Sequence, residues 1–362
     1  MAKAHPSATP LAPFRVRSFR FQWPSDLAAS WGFEMEILIL GWYVLVETGS
    51  VLLLTLLGSL QWAGTLLSPM FGVVGDRIGH RRLLCLMRVF YVAQALVLLA
   101  LALAGLLNAL YVFLVSAAMS LVRPSDMVMR FALVGETVPA SYLMSAMSVE
   151  RTTSDSARVV GALTGAGMIA AFGMGPAYVA ISAVYALALA LTLGIARPTA
   201  RPAQMPSVPH GSHWLDLREA FGYVRHTPLL FAAMCLAFLI NLTAYPLTLG
   251  LLPYVAKEIY GRDQTGLGYL AASFALGGLV GSLLLTPGGS AIRSGRWMIL
   301  FAVAWYVALA LFAFADSMAW GLVWLLLAGC AQSFSLVPMS AVLLRHVEER
   351  YRGRVMGIRQ FA

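Results

Sequence analysis

The chain has 362 residues, 60% of them hydrophobic and only 11% charged, with a mean hydropathy of +0.78 and a formal net charge of +9. Soluble domains carry roughly 25% charged residues. The composition therefore excludes an ordinary soluble protein, and repeated apolar runs of about 20 residues mark transmembrane helices. The ~10-residue alternating segments of an outer-membrane barrel are absent, and the basic balance reads as a positive-inside bias rather than nucleic-acid binding.

Residues 1–23 form a basic tail with Lys3, Arg15, Arg17 and Arg20 but no apolar core, so they are not a signal peptide. Six apolar spans follow, near Pro24–Val46, Val51–Val74, Leu83–Leu106, Leu110–Val122 (continuing helically toward Leu133), Arg158–Phe172 and Ala177–Ile195. A polar segment, Gly135 to Asp155, separates the fourth and fifth. Residues 197–209 carry Pro198, Pro202, Pro206 and Pro209 and read as an extended linker. After it, Trp214, Leu217, Phe221 and Val224 recur at helical spacing behind the N-cap Ser212, predicting a short amphipathic helix at the membrane surface that Pro228 stops. Four further spans lie near Leu229–Val255, Leu267–Leu285, Trp297–Ala315 and Trp320–Leu344.

The densest charge with the least length between two spans is Gly72-Val-Val-Gly75-Asp76-Arg77-Ile-Gly79-His80-Arg81-Arg82. A backbone that must turn within a few residues favours Gly72, Gly75 and Gly79. Of the 25 lysines and arginines, only Lys257 and Arg262 fall on the opposite side of the predicted topology. The N-terminus, this link and the central linker are thus expected in the cytoplasm, the chain passing repeatedly through the membrane. A weak internal repeat supports two halves: Leu57-Gly-Ser-Leu60 returns as Leu267-Gly-Tyr-Leu270, and the Val138 to Tyr142 spacing as Val347 to Tyr351. Two six-span halves joined by a linker is a secondary-transporter architecture. The repeat puts spans eleven and twelve at roughly 365–406, so the chain reads as incomplete.

The link resembles the signature of the major facilitator superfamily between helices two and three, on Gly72, Val74, Gly75, Asp76, Arg77, Gly79, His80 and Arg81, with His80 where the family usually has Arg or Lys. More narrowly, Gly41-Trp-Tyr-Val, Thr48-Gly-Ser50 and Gly353-Arg-Val-Met-Gly357 resemble the bacterial exporters that include enterobactin-type siderophore exporters. The resemblance implies an all-α membrane protein of the major facilitator fold with ten helices present and helices eleven and twelve missing. The expected organisation is a tail at 1–23, a six-helix half at 24–196, a cytoplasmic linker at 197–228 and an incomplete second half at 229–362. It further implies that Asp76 is a gating acid which pairs with a fourth-span arginine, Arg123 or Arg130, while Arg77, Arg81 and Arg82 serve topology, lipid phosphates or the gate. Antiporters of the superfamily often carry Gly-Pro in span five. Here the pair is Gly161-Ala162, which keeps import open as the alternative direction.

Span one contains Glu34 and Glu36. A mid-membrane carboxylate costs roughly 2.5–3.5 kcal/mol on insertion scales and is functional by default. Two residues apart, the pair point about 200° from each other and cannot share a face. One of them is expected to bind a proton or a cationic cargo group. Asp126 and Arg130 at i, i+4, with Arg123 beside them, and Asp155 and Arg158 at i, i+3, read as structural ion pairs between helices. Asn241, Tyr245 and Pro246 interrupt span seven, and Gln61 and Gln332 are polar within spans two and ten. They suit either a midplane cargo site or interhelical hydrogen bonds. Gly161…Gly165 and Gly277…Gly281 are helix-packing surfaces.

Cys85, Cys235 and Cys330 lie in or beside apolar runs as packing residues, and His210-x-x-His213 reads as solvated, so neither metal nor cofactor is expected. No catalytic or nucleotide-binding motif is present, which excludes an enzyme and leaves an ion gradient, most simply protons, to drive transport. The expected protein is a monomeric secondary transporter in the lipid bilayer, exporting a small siderophore-like or drug-like molecule. A non-transporting sensor is the other alternative.

Overall fold

The structure, a computed structural model, describes residues 12–61, 64–65, 68–196, 222–285 and 295–346. Among them every regular element is a helix. They fall into two compact units: residues up to 199 together with 250–272, and 200–249 together with 273 onward.

The first unit holds α1 (Arg17–Thr48), α2 (Val51–Leu60), α3 (Ser68–Ile78), α4 (His80–Leu103), α5 (Ala109–Thr137), α6 (Ala140–Phe172) and α7 (Met174–Leu193). Helix α1 packs on α6 and α7, and α4 packs on α5 and α7. Their shared core includes Met35, Ile39, Leu84, Tyr91, Leu133 and Tyr178. Gly161 and Gly165 bring α6 onto α1: a Cβ on Gly161 would sit 2.5 Å from the Cβ of Glu34, and one on Gly165 2.9 Å from the Cα of Met35. Such close backbone approach is how helices associate in lipid, where no hydrophobic force separates helix from solvent.

Three expectations change here. Helix α1 begins at Arg17, not Pro24, so part of the expected tail is helical. Tertiary burial extends it: Phe19 is fully buried with Val134, Val138 and Ala146, and Gln22 Nε2 donates to the Arg130 carbonyl at 3.0 Å. Span two is broken into α2 and α3, with Gly64 between them seated against the Ser120 carbonyl. Pro124, inside α5, has no N–H to offer that carbonyl. The polar segment Gly135–Asp155 is no separate element, because α5 runs to Thr137 and α6 starts at Ala140.

The second unit is built on α8 (Pro228–Tyr245), most of α9 (Gln264–Leu285), α10 (Gly295–Ala313) and α11 (Met318–His346). Residues 222–226, the described end of the expected amphipathic helix, are helical, and the rest of that expected helix lies outside the described residues. Past Tyr245 the chain passes through a π-helical turn, Pro246–Gly250, a short turn, Leu252–Tyr254, and a second π-helical stretch, Val255–Ile259. Pro246 and Pro253 withhold two N–H groups from the α ladder, and the register slips to i→i−5 around them. Gly277 and Gly281 pack α9 on the backbone of α11, at Leu326 and Cys330.

Eight stretches among the described residues are long and apolar enough to cross a membrane. The two expected spans outside that set are the broken second one and the fifth, whose helix α6 begins in polar sequence.

Candidate functional site

The first unit contains a buried ion network that joins three helices. Arg88 of α4 has no exposed side-chain surface. It donates from Nη2 to Asp26 Oδ1 on α1 at 2.8 Å and from Nη1 to Asp126 Oδ1 on α5 at 2.7 Å. Arg130, one turn beyond Asp126, places Nη2 at 2.6 Å from Asp126 Oδ2 and Nε at 3.3 Å from Asp26 Oδ1. Its Nη1 also donates to Ser30 Oγ at 2.8 Å. Two carboxylates thus face two guanidiniums. Desolvating each ion costs several kcal/mol, which only such multiple pairing offsets. Glu150 of α6 is buried alongside and feels the charges of Asp26 and Arg130, and its Oε1 has no hydrogen-bond partner.

Beside this network lies a cavity lined by Phe33, Glu36, Leu57, Gln61, Gln94 and Arg123 among others. Glu36 is buried, yet no cation pairs with it. Gln94 Nε2 donates to its Oε1 and Oε2 at 2.8 and 3.0 Å, and the Tyr185 hydroxyl donates to Oε2 at 2.8 Å. Gly32 makes room for that tyrosine, since a Cβ there would lie 2.9 Å from Tyr185 Cε1. Arg123 stacks over the Phe33 ring, 3.6 Å from its centroid. Its Nη1 stands 3.7 Å from Asp126 Oδ2.

A bundle of long apolar helices with a charge network and a cavity in one half has the make-up of a transporter. The profile of the Major Facilitator Superfamily matches residues 25–362. The chain belongs to the major facilitator superfamily. No curated protein matches it. Among solved structures it is similar to a bacterial homologue of the human lysosomal transporter Spinster in an inward-facing, unoccupied conformation, at 15% identity and TM-score 0.66 over 94% of this chain and 79% of that one. It is likewise similar to the nucleoside transporter NupG (12% identity, TM-score 0.68, 95% and 87% covered) and to a D-xylose–proton symporter (12%, 0.66, 94% and 85%). At these identities the likeness concerns the fold. This superfamily member is a membrane transporter and not an enzyme.

The superfamily's signature link takes a different form from the tight turn expected. Gly72 and Gly75 lie within α3, and only Gly79, with φ +91°, makes the turn into α4. Gly75 serves close packing instead, because a Cβ there would meet Met129 Sδ at 2.9 Å. His80 Nδ1 lies 2.6 Å from Glu136 Oε1, and Arg81 Nη2 donates to the Leu193 carbonyl at 2.7 Å, at the negative end of α7. Arg77 and Arg82 are exposed. The side chain of Asp76 lies outside the described residues, as do His210 and His213.

The two glutamates of α1 diverge as their spacing requires. Glu34 meets Arg158 at 3.6 Å, and Arg158 also stands 3.9 Å from Asp155. Gln61 joins Glu36 at the cavity. Tyr245, Asn241 and Gln332 belong to the second unit and do not line it. Tyr245 packs edge-on to Trp305 with centroids 6.1 Å apart, Asn241 is exposed and Gln332 is buried.

Asp26, Arg88, Gln94 and Tyr185 are not among the candidate site residues that the sequence pattern singles out. Arg88 lies well inside an apolar run. An arginine at that depth is itself a signal, since an ion placed there needs a partner. Gln94 and Tyr185 carry no such signal, because neutral polar residues are common in spans.

Proposed function

We propose that this transporter exports a small organic molecule across a bacterial inner membrane in exchange for protons, with Glu36 as the proton carrier. The observation that carries the reading is the contrast between Glu36 and its charged neighbours. Protonating Asp26 or Asp126 would leave a buried guanidinium short of its counter-ion. Protonating Glu36 breaks no direct ion pair among the described residues, because the groups that contact it are the neutral Gln94 and Tyr185. A carboxylate beside a cavity that can hold or release a proton without breaking an ion pair suits cyclic coupling. Glu34, salt-bridged to Arg158, lacks that freedom.

In the same reading, residues 24–196 and 229–362 are the two halves of a monomer that alternates access, joined by the linker at 197–228. The gate includes Asp76 with Arg77, Arg81 and Arg82 at the α3–α4 turn, which Arg81 ties to the end of α7. The bundle holds Arg88, Arg123 and Arg130. With those set aside, only Lys257 and Arg262 oppose the basic bias, which supports a cytoplasmic N-terminus. The cargo is siderophore-like or drug-like.

The test begins with metabolite profiling of cells lacking the transporter, to find the retained compound. That compound is then followed in liposomes bearing the full chain under an imposed proton gradient. The expected result is gradient-driven export by the parent chain and by Glu34→Gln. Glu36→Gln should lose the response to the gradient. Gradient-driven export unchanged in Glu36→Gln rejects the assignment. A compound depleted inside the mutant cells, instead of retained, favours import, the direction that the Gly161-Ala162 pair leaves open.

A further inference from the structure

The cavity of the first unit carries two unlike charges that do not pair with each other, and its remaining wall is mainly apolar. Arg123 is the cation. Its closest carboxylate among the described residues is that of Asp126, at 3.7 Å, beyond hydrogen-bonding range. Both oxygens of that carboxylate are already occupied, Oδ1 by Arg88 at 2.7 Å and Oδ2 by Arg130 at 2.6 Å. Asp26 likewise serves Arg88 and Arg130. Glu150 acts on Asp26, Arg130 and Arg88. Arg123 therefore makes no direct ion pair within hydrogen-bonding range in this network, and its Nη1 is buried with no hydrogen-bond partner. Phe33 holds the guanidinium by its face, which leaves the N–H edge for a planar acceptor. Glu36 is the anion. It lines the same cavity, and among the described residues it accepts hydrogen bonds from the neutral Gln94 and Tyr185, while Arg123 acts on it at a distance and without an ion pair.

We propose that this cavity takes an amphipathic zwitterion: an acid group on Arg123, an ammonium on Glu36 and an apolar body against Phe33, Ile37, Leu40 and Met119. The inference rests on the reading of the cavity as the cargo site and names the class of cargo. A zwitterion matches both buried charges at once, whereas a simple cation leaves Arg123 unmatched and a simple anion meets the repulsion of Glu36. The arrangement also fits exchange, because a proton on Glu36 removes the charge that holds the ammonium. Proton and cargo then compete for one group.

Four probes with one body and different charges test it: 4-(aminomethyl)benzoate, 4-methylbenzoate, 4-methylbenzylamine and 4-methylbenzyl alcohol. Binding is followed by tryptophan fluorescence of the purified full chain in nanodiscs. The zwitterion should bind about tenfold or more tighter than either singly charged probe, the scale of one charge-assisted hydrogen bond. Arg123→Gln should erase its advantage over the amine, Arg123→Lys should retain part of it, and Glu36→Gln should erase its advantage over the benzoate. Elution as a single species and an unchanged melting profile show that each variant is folded. Equal affinity of all four probes, with binding lost in the cavity-filling Leu57→Trp, overturns the zwitterion while leaving the cavity as a cargo site. Unchanged zwitterion affinity in Arg123→Gln overturns it as well. No saturable binding of any probe overturns both.

Discussion

The two compact units differ in what they bury. Every buried charged side chain among the described residues, from Asp26, Glu36 and Arg88 to Asp126, Arg130, Glu150 and Asp155, belongs to the first unit. The described core of the second unit is apolar, with Leu230, Ala233, Met234 and Met298 at its centre, and its buried polar groups are the neutral Thr248, Gln332 and Ser335. Both units are made of helices of similar length and hydropathy, so the difference is one of chemistry and not of architecture. Proton handling and charge recognition need desolvated ions, and among the described residues these lie in the first unit.

Three substitutions bear on this contrast. The largest effect is expected from Arg88→Met, which leaves Asp26 and Asp126 buried beside one guanidinium fewer. Losing one partner of a buried pair costs about 3–5 kcal/mol, so the variant should unfold at markedly lower temperature in detergent, followed by circular dichroism. A loss below about 1 kcal/mol would mean that the network is not what holds α1, α4 and α5 together. The middle effect is expected from Gly32→Ala. Its methyl group would meet Tyr185, and overpacking of this kind costs about 1–3 kcal/mol. As the tyrosine moves, its hydroxyl leaves Glu36. Gradient-driven export should therefore fall while counterflow survives, and equal loss of both would put the tyrosine in cargo binding instead. The smallest effect is expected from Gln332→Leu in the second unit. A side-chain hydrogen bond between membrane helices contributes about 0.6 kcal/mol, so stability and coupling should both stay near the parent values. Abolished coupling in this variant would break the contrast between the units.

Sequence alone carried the helical class, the order of the spans and the superfamily, because these follow from local hydropathy and one short motif that needs no partner to be recognised. It also fixed that Glu34 and Glu36 diverge, since helical geometry permits nothing else, and it found the Asp126 and Arg130 pair by spacing within one helix. Everything that joins different helices waited on the tertiary structure. Asp26 lies 62 positions from Arg88, and Glu36 lies 149 from Tyr185, so no periodicity connects them. Which glutamate is held by neutral donors depends on where α4 and α7 come to rest. The start of α1 at Arg17 and the break between α2 and α3 are likewise set by contacts with α5. Hydropathy states that a segment prefers lipid to water. Which side chain meets which is determined by packing among helices that, to the bilayer, are nearly alike.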